Sequence, residues 1–274
     1  MTGTVALNGE VRRLEELRLG DFLQSFFFGA GFFETFLIEE GAPRFLERHL
    51  TRLQASLTAH EGSVRAPPAQ ALTPNAVRES LRQCLAADAG LGPRFTGVGK
   101  LVAGDGHLLL TFRPLPPHHE ASLREGLALE HLEERGYRRG DPLARHKSVS
   151  YLRQYAHLGR GTVFANELGE LCEAPNGNLF FLLDDALVTP PVEAPCLPGI
   201  IRAVLLEERR WTDKPIEERT VRREHVEHAH GCILTNSVSL ALPIPRLFGR
   251  ALPHSAELAR SVRALVEARA RLEA

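Results

Sequence analysis

The sequence predicts an α+β fold built as two domains. Runs that read as strands alternate with segments whose apolar residues recur at helical spacing, in both halves of the chain. The 274 residues are long for a single core and comfortable for two. Between the halves stands RPLPPHHEA, whose prolines suit an extended connection. The first domain is therefore expected at residues 1–113, a linker at 114–120 and the second domain at 121–274.

The elements follow in order. VALNGEVRRLEEL reads as a short strand and its return, and FFETFLIEEGAPRFL as two strands around a Glu-Gly turn. Phe45, Leu46, Leu50, Leu53 and Leu57 recur at helical spacing. Thr73 and Pro74 open another helix, through about Ala87, with threonine as N-cap and proline in the first turn. GKLVAGDGHLLLTF is a hairpin with a Gly-Asp-Gly turn. Beyond the linker, GLALEHLEE reads as a strand, and KSVSYLRQYAHLG as a helix. VFANELGELCEA and NLFFLLDDALVTPP read as hairpin strands. LPGIIRAVLLEERRW is a helix after a Pro-Gly entry, and HVEHAHGCILTNSVSLALPI a helix and then a strand. SAELARSVRALVEARARLEA closes the chain as an amphipathic helix.

Composition narrows the function. With 43% hydrophobic and 24% charged residues and a formal net charge of -1, nothing argues for nucleic acid or membrane as partner. The N-terminal run has no apolar signal core, and the longest greasy stretches are too short to span a bilayer, so a cytoplasmic protein is expected. Cys84, Cys172, Cys196 and Cys232 are scattered without a CxxC pair, which suits buried, inert thiols rather than a metal site or a disulfide framework. Lysines are scarce: Lys100, Lys147 and Lys214 are the three in the chain. Chemistry that needs an amine able to lose its proton must draw on these, because arginine cannot supply one.

Several short segments carry candidate chemistry, each with a plainer alternative. Lys147 stands between a polar loop and an apolar run, as a reactive amine or a solvated surface lysine. Glu173 sits in a turn at the mouth of the NLFFL strand, as a functional carboxylate or a turn residue. Gly199, Ile200 and Ile201 form a helix entry whose backbone N–H groups suit phosphate, although most such entries are simply capped. Thr235, Asn236 and Ser237 are a second small polar turn, either a phosphate cradle or only a turn. His49 and Arg52 lie one turn apart on a helix, normally a solvated face.

Taken in order, these segments resemble the class IV aminotransferase family, the fold-type IV pyridoxal-phosphate enzymes. The resemblance runs through LNGEV, FFGAGFFET, FLERHLTRLQASL, HKSVSYL, GELCEAPNGNLFFL, LVTPP, CLPGIIR and LTNSVSLALPI. It implies pyridoxal 5'-phosphate as cofactor, in a cleft between two domains, and a homodimer whose partner loop helps to close each site. Lys147 matches the lysine that forms the Schiff base. Glu173 matches the carboxylate that keeps the pyridine nitrogen protonated, so that the ring acts as an electron sink. Arg52 matches the arginine on the cofactor phosphate. Gly199, Ile200 and Ile201 match the helix entry at that phosphate, Asn236 and Ser237 its second turn, and Asn178 the asparagine that follows the glutamate in E-x-x-x-x-N-L-F. Many relatives carry threonine where Ile201 stands, which leaves only a backbone N–H to serve there.

Within the family the motifs lean toward 4-amino-4-deoxychorismate lyase, which eliminates pyruvate and leaves 4-aminobenzoate for folate synthesis. Thr35 in FFET resembles the lyase pattern, where branched-chain enzymes tend to have glycine and D-amino acid enzymes valine. Its hydroxyl would position substrate or leaving group. LTNSVSLALPI also resembles the lyase turn. A D-amino acid or branched-chain aminotransferase remains the alternative, and an inactive cofactor-binding homologue a further one. No arginine stands out for the substrate carboxylate. Lys100 is a candidate anion binder.

Overall fold

A computed structural model describes residues 3–88 and 90–273, with no account of the Arg135 side chain. The chain divides into two compact units. One comprises the chain up to Pro116 together with Lys147–Tyr151, and the other comprises Pro117–His146 and Leu152–Glu273.

The first unit contains β1 (Thr4–Leu7), β2 (Glu10–Arg13), α1 (Leu23–Phe28), β3 (Phe32–Glu39), β4 (Ala42–Pro43), α2 (Leu46–Ala59), α3 (Pro74–Ala87), β5 (Gly97–Gly104) and β6 (His107–Pro114). Its strands form an antiparallel sheet in the order β2-β1-β6-β5-β3-β4. Leu46, Leu50, Leu53 and Leu57 of α2 and Val77, Leu81 and Leu85 of α3 fill its core with Phe36, Ile38, Leu101 and Phe112 from the strands. The helical spacing read in the sequence is the stripe that these helices bury. Thr73 caps α3 by accepting from the Ala76 N–H at 3.2 Å. At the centre of the sheet Phe36 pairs with Gly99, where a Cβ would meet the Phe36 ring at 2.3 Å.

The second unit contains α4 (His119–Glu125), β7 (Ala128–Leu129), β8 (His131–Tyr137), α5 (Leu152–His157), β9 (Thr162–Asn166), β10 (Asn178–Leu182), β11 (Leu187–Thr189), α6 (Ile200–Glu208), β12 (Arg210–Trp211), β13 (Lys214–Glu218), α7 (Arg223–Val226), β14 (Gly231–Asn236), β15 (Leu240–Pro243), β16 (Arg246–Leu247), β17 (Arg250–Ala251) and α8 (Ser255–Leu272). A sheet in the order β12-β13-β11-β10-β14-β15 is its backbone, with β11 and β13 parallel. β8 and β9 form a separate parallel pair. Leu179, Phe181, Val188, Leu234 and Leu242 are buried together at the core of this unit.

Two local expectations change. The proline-rich run does not stay extended to residue 120, because α4 begins at His119 once the prolines end. The KSVSYLRQYAHLG helix is only α5, from Leu152. Lys147 to Tyr151 is instead extended beside β3: the Phe33 N–H donates to the Lys147 carbonyl at 2.8 Å, and the Val149 N–H to the Gly31 carbonyl at 3.0 Å. Backbone groups committed to these bonds cannot close a helical turn, and Ser148, Val149 and Ser150 are poor helix formers. In the FFFGAGFF segment Phe32 and Phe33 are buried, and Phe26, Phe27 and Phe28 of α1 are exposed by 65%, 64% and 79%.

Candidate active site

β3 presents two faces, because successive side chains of a strand alternate. Glu34 points toward α2. Its buried carboxylate accepts from Arg52 Nε at 2.8 Å and Nη2 at 2.5 Å, and meets His49 Nδ1 at 2.7 Å. Burial opposes ionisation of Glu34, yet the Arg52 charge and the bonds from Arg52 and His49 prevail and hold its pKa at about 2. His49 is fully enclosed. Burial pushes its pKa down despite the Glu34 bond, with Arg52 and Lys147 adding repulsion, so the neutral ring donates from Nδ1 to the carboxylate. The expectation of a solvated His49–Arg52 face is therefore corrected. α2 turns both residues inward because Glu34 supplies the partner that burial of a cation requires.

Phe33 and Thr35 occupy the other face of β3. The Phe33 ring carries the Lys147 ammonium 4.8 Å from its centroid and the Lys100 ammonium at 4.3 Å. Tyr151, also within reach of Lys147 at 5.5 Å, meets Phe33 edge-on. Thr35 lies opposite Lys100 in the β3–β5 register. The first unit thus gathers Lys147, Thr35 and Arg52 around one strand. The Arg52 guanidinium plane is fixed there by Glu34.

The second unit gathers the remaining candidates around β10. Glu173 precedes the strand and is buried. Its Oε1 accepts from the Tyr137 hydroxyl at 2.7 Å and its Oε2 from the Leu197 N–H at 3.0 Å. The Leu197 carbonyl accepts from Asn178 Nδ2 at 2.8 Å, so one peptide strand ties Glu173 to Asn178. Gly199 follows as the N-cap of α6. A Cβ there would meet Asn178 Oδ1 at 2.1 Å. No side chain caps this helix, whose first turn offers the backbone of Ile200 and Ile201. Ile201 itself is buried and presents no polar side chain. Asn236 ends β14, and its Oδ1 accepts from the Val238 and Ser239 N–H groups at 3.0 and 2.8 Å. Those bonds hold the amide in its turn and leave Nδ2 as the donor that, with Ser237 and backbone N–H groups, could meet an anion.

Sequence reading missed Tyr137, Gln154 and the counter-ion role of Glu34. Tyr137 lies beyond the strand that GLALEHLEE predicts, yet it ends β8. The Glu34 role had a usable signal in the Glu of FFET and the His and Arg of ERHLTRL, but only the fold pairs them. The four cysteines are free and buried, and burial pushes Cys84 up to about 11 and Cys196 to about 12. Among the described residues no helix is long and apolar enough to cross a membrane, and no cluster of His, Cys, Asp or Glu could hold a metal ion.

The amino-transferase class IV family pattern matches residues 31–247, and the chain belongs to this family. The fold is the fold-type IV aminotransferase fold: a PLP-bound hypothetical aminotransferase from Mycobacterium tuberculosis superposes with a TM-score of 0.80 at 24% identity, over 97% of this chain and 99% of that one. Among curated proteins the chain is similar to the aminodeoxychorismate lyase of Bacillus subtilis, 24% identical over 89% of this chain and 86% of the relative. It is also similar to a bifunctional aminodeoxychorismate lyase / D-amino acid transaminase of Mycobacterium tuberculosis, 27% identical over 83% of this chain and 85% of that protein.

Proposed function

We propose that the protein is a pyridoxal-phosphate-dependent lyase that releases pyruvate from 4-amino-4-deoxychorismate and leaves 4-aminobenzoate, a precursor for folate synthesis. The observation that carries this reading is the Lys147 amine over the Phe33 ring, on the strand face that Thr35 shares with Phe33 by alternation. Both curated relatives that span most of the chain bear the lyase name, which supports the same reading.

The residues present fit the cofactor. Lys147 supplies the amine that would hold it. Glu173, locked by two donors, offers a carboxylate to its ring nitrogen. No side chain caps α6, so the backbone N–H groups of its first turn would serve a phosphate, and Arg52 supplies a planar cation of the kind that suits one. The cofactor, when bound, supplies the electron sink. Lys147, released when the substrate's amine takes its place on the cofactor, would act as general base and take the proton from the amine-bearing ring carbon of the substrate. The electron pair becomes a ring double bond, the ether C–O bond breaks, and the departing enol oxygen leaves with pyruvate's three carbons. A proton returned to that fragment completes pyruvate, and the ring is left aromatic. Thr35 would orient the leaving oxygen. Burial of Glu173 and Glu34 keeps water from competing for their hydrogen bonds.

Pyruvate release from 4-amino-4-deoxychorismate by cofactor-loaded protein tests this directly. Release is expected, and Lys147→Ala should abolish it. A yellow, loaded protein that releases none would overturn the lyase reading. D-amino acid transamination is the second reading, favoured by the bifunctional relative, and amino transfer from D-amino acids to 2-oxoglutarate would reveal it. We further propose a homodimer, supported by the exposed Phe26, Phe27 and Phe28 of α1, with sedimentation at twice the chain mass as the expected result.

A further inference from the structure

Tyr137 ends β8 beneath Glu173, and almost nothing of it reaches solvent. Its hydroxyl makes two bonds of opposite sense. It donates to Glu173 Oε1 at 2.7 Å and accepts from Gln154 Nε2 at 2.9 Å. An amide N–H can only donate, so Gln154 fixes which way the hydroxyl proton points. The ring is held independently, edge-on to Phe164 at 5.5 Å and under the Arg153 guanidinium at 4.8 Å. Burial, then the Glu173 charge, pushes the phenol well above its ordinary range, so it stays a donor at any working pH. The thiols of Cys172 and Cys196 also face Glu173, and burial, then the Glu173 charge, pushes both up so that they stay neutral. The carboxylate is thereby held from both oxygens, by a side chain on one and the Leu197 N–H on the other.

We propose that the Gln154–Tyr137 relay is a positioning device that sets the orientation and basicity of Glu173 toward the cofactor's ring nitrogen. A donor on a carboxylate favours its charged form and makes it a weaker base. With the hydroxyl in place, the proton stays on the ring nitrogen rather than on Glu173. Without it, Glu173 competes better for that proton, the ring becomes less cationic, and it withdraws less charge from its substituents. The relay comes from α5, just beyond the Lys147 segment in the chain, so the sequence after the lysine also supports the carboxylate.

The inference rests on the cofactor reading above, and the experiment separates the two. Tyr137→Phe keeps the ring and its contacts with Phe164 and Arg153 and removes only the hydroxyl. Apo-protein is titrated with pyridoxal phosphate, and the visible absorption of the loaded protein is followed against pH. The expected result for Tyr137→Phe is an affinity ~3–10-fold weaker, the scale of one ordinary net hydrogen bond, and an upward shift of the pH at which the absorption changes. Gln154→Leu should shift the same midpoint in the same direction by less, and it carries the test if Tyr137→Phe does not fold. Glu173→Gln is the reference. If it changes affinity and spectrum while Tyr137→Phe and Gln154→Leu leave the midpoint where it was, the relay is only structural and the proposal is wrong. If Glu173→Gln itself changes nothing, the assignment of Glu173 to the cofactor fails and the proposal falls with it.

Discussion

Glu34 shows how one residue can carry a charge inside a core. Its carboxylate is buried, and a buried anion survives only when its partners return more than desolvation removes. Arg52 and His49 do so from successive turns of α2. The consequence for pH has one sign. The folded Glu34 has a pKa of about 2 against an ordinary 4.5, so its contribution is complete above 4.5 and is lost as pH falls toward 2. His49 adds to this. Its folded pKa lies below the ordinary 6.5, so protonation favours the unfolded chain and stability falls as pH drops through 6.5. Thermal unfolding measured from pH 7 down to 3 should show a steadily falling melting temperature. Glu34→Gln should be less stable at pH 7, by on the order of 2–3 kcal/mol, and flatter below 4.5. An unchanged acid limb in that variant would show that Glu34 is not the group responsible.

At the scale of elements, helix entries do two different jobs. α3 is closed by Thr73, and Thr73→Ala should cost about 1 kcal/mol in a denaturant titration with no effect on cofactor binding. α6 is left open by Gly199, where no side chain caps. Gly199→Ala would drive a methyl into Asn178 Oδ1 and disturb the bond from Asn178 to Leu197, the residue whose N–H holds Glu173. Cofactor affinity should therefore drop at least ~10-fold, while Gly92→Ala, at an exposed position with open space, should leave it unchanged. Equal affinities in the two variants would remove α6 from the cofactor site. The Lys147 segment teaches a related lesson. Pattern alone predicts a helix there, and the residues are extended because Gly31 and Phe33, at the start of β3, take their backbone bonds.

Across the whole molecule, binding and folding are linked by mass action. A ligand held only by the folded chain stabilises it by about 2.7 kcal/mol at a hundred times its dissociation constant. Pyridoxal phosphate should therefore raise the melting temperature progressively with concentration in the wild-type protein. The rise should be much smaller in Lys147→Ala. A melting temperature indifferent to the cofactor would contradict the proposed function at this scale, whatever the single-residue variants showed.

By itself the sequence determined the α+β character of the chain, its helices and hairpins, and the candidates Lys147, Glu173 and Arg52, because periodicity, turn residues and motif order are local properties. LPGIIR announced a helix entry, and α6 begins there; that no side chain caps it is a finding of the structure. Only the tertiary structure decided what those residues touch. It brought Glu34 to Arg52 and His49 across sixteen or so positions of chain, and Tyr137 to Glu173 across a still longer stretch. It also returned Lys147–Tyr151 to the first unit after a long excursion through the second. Such pairings have no period to read. They depend on which side chains must find a partner once burial has taken their water away.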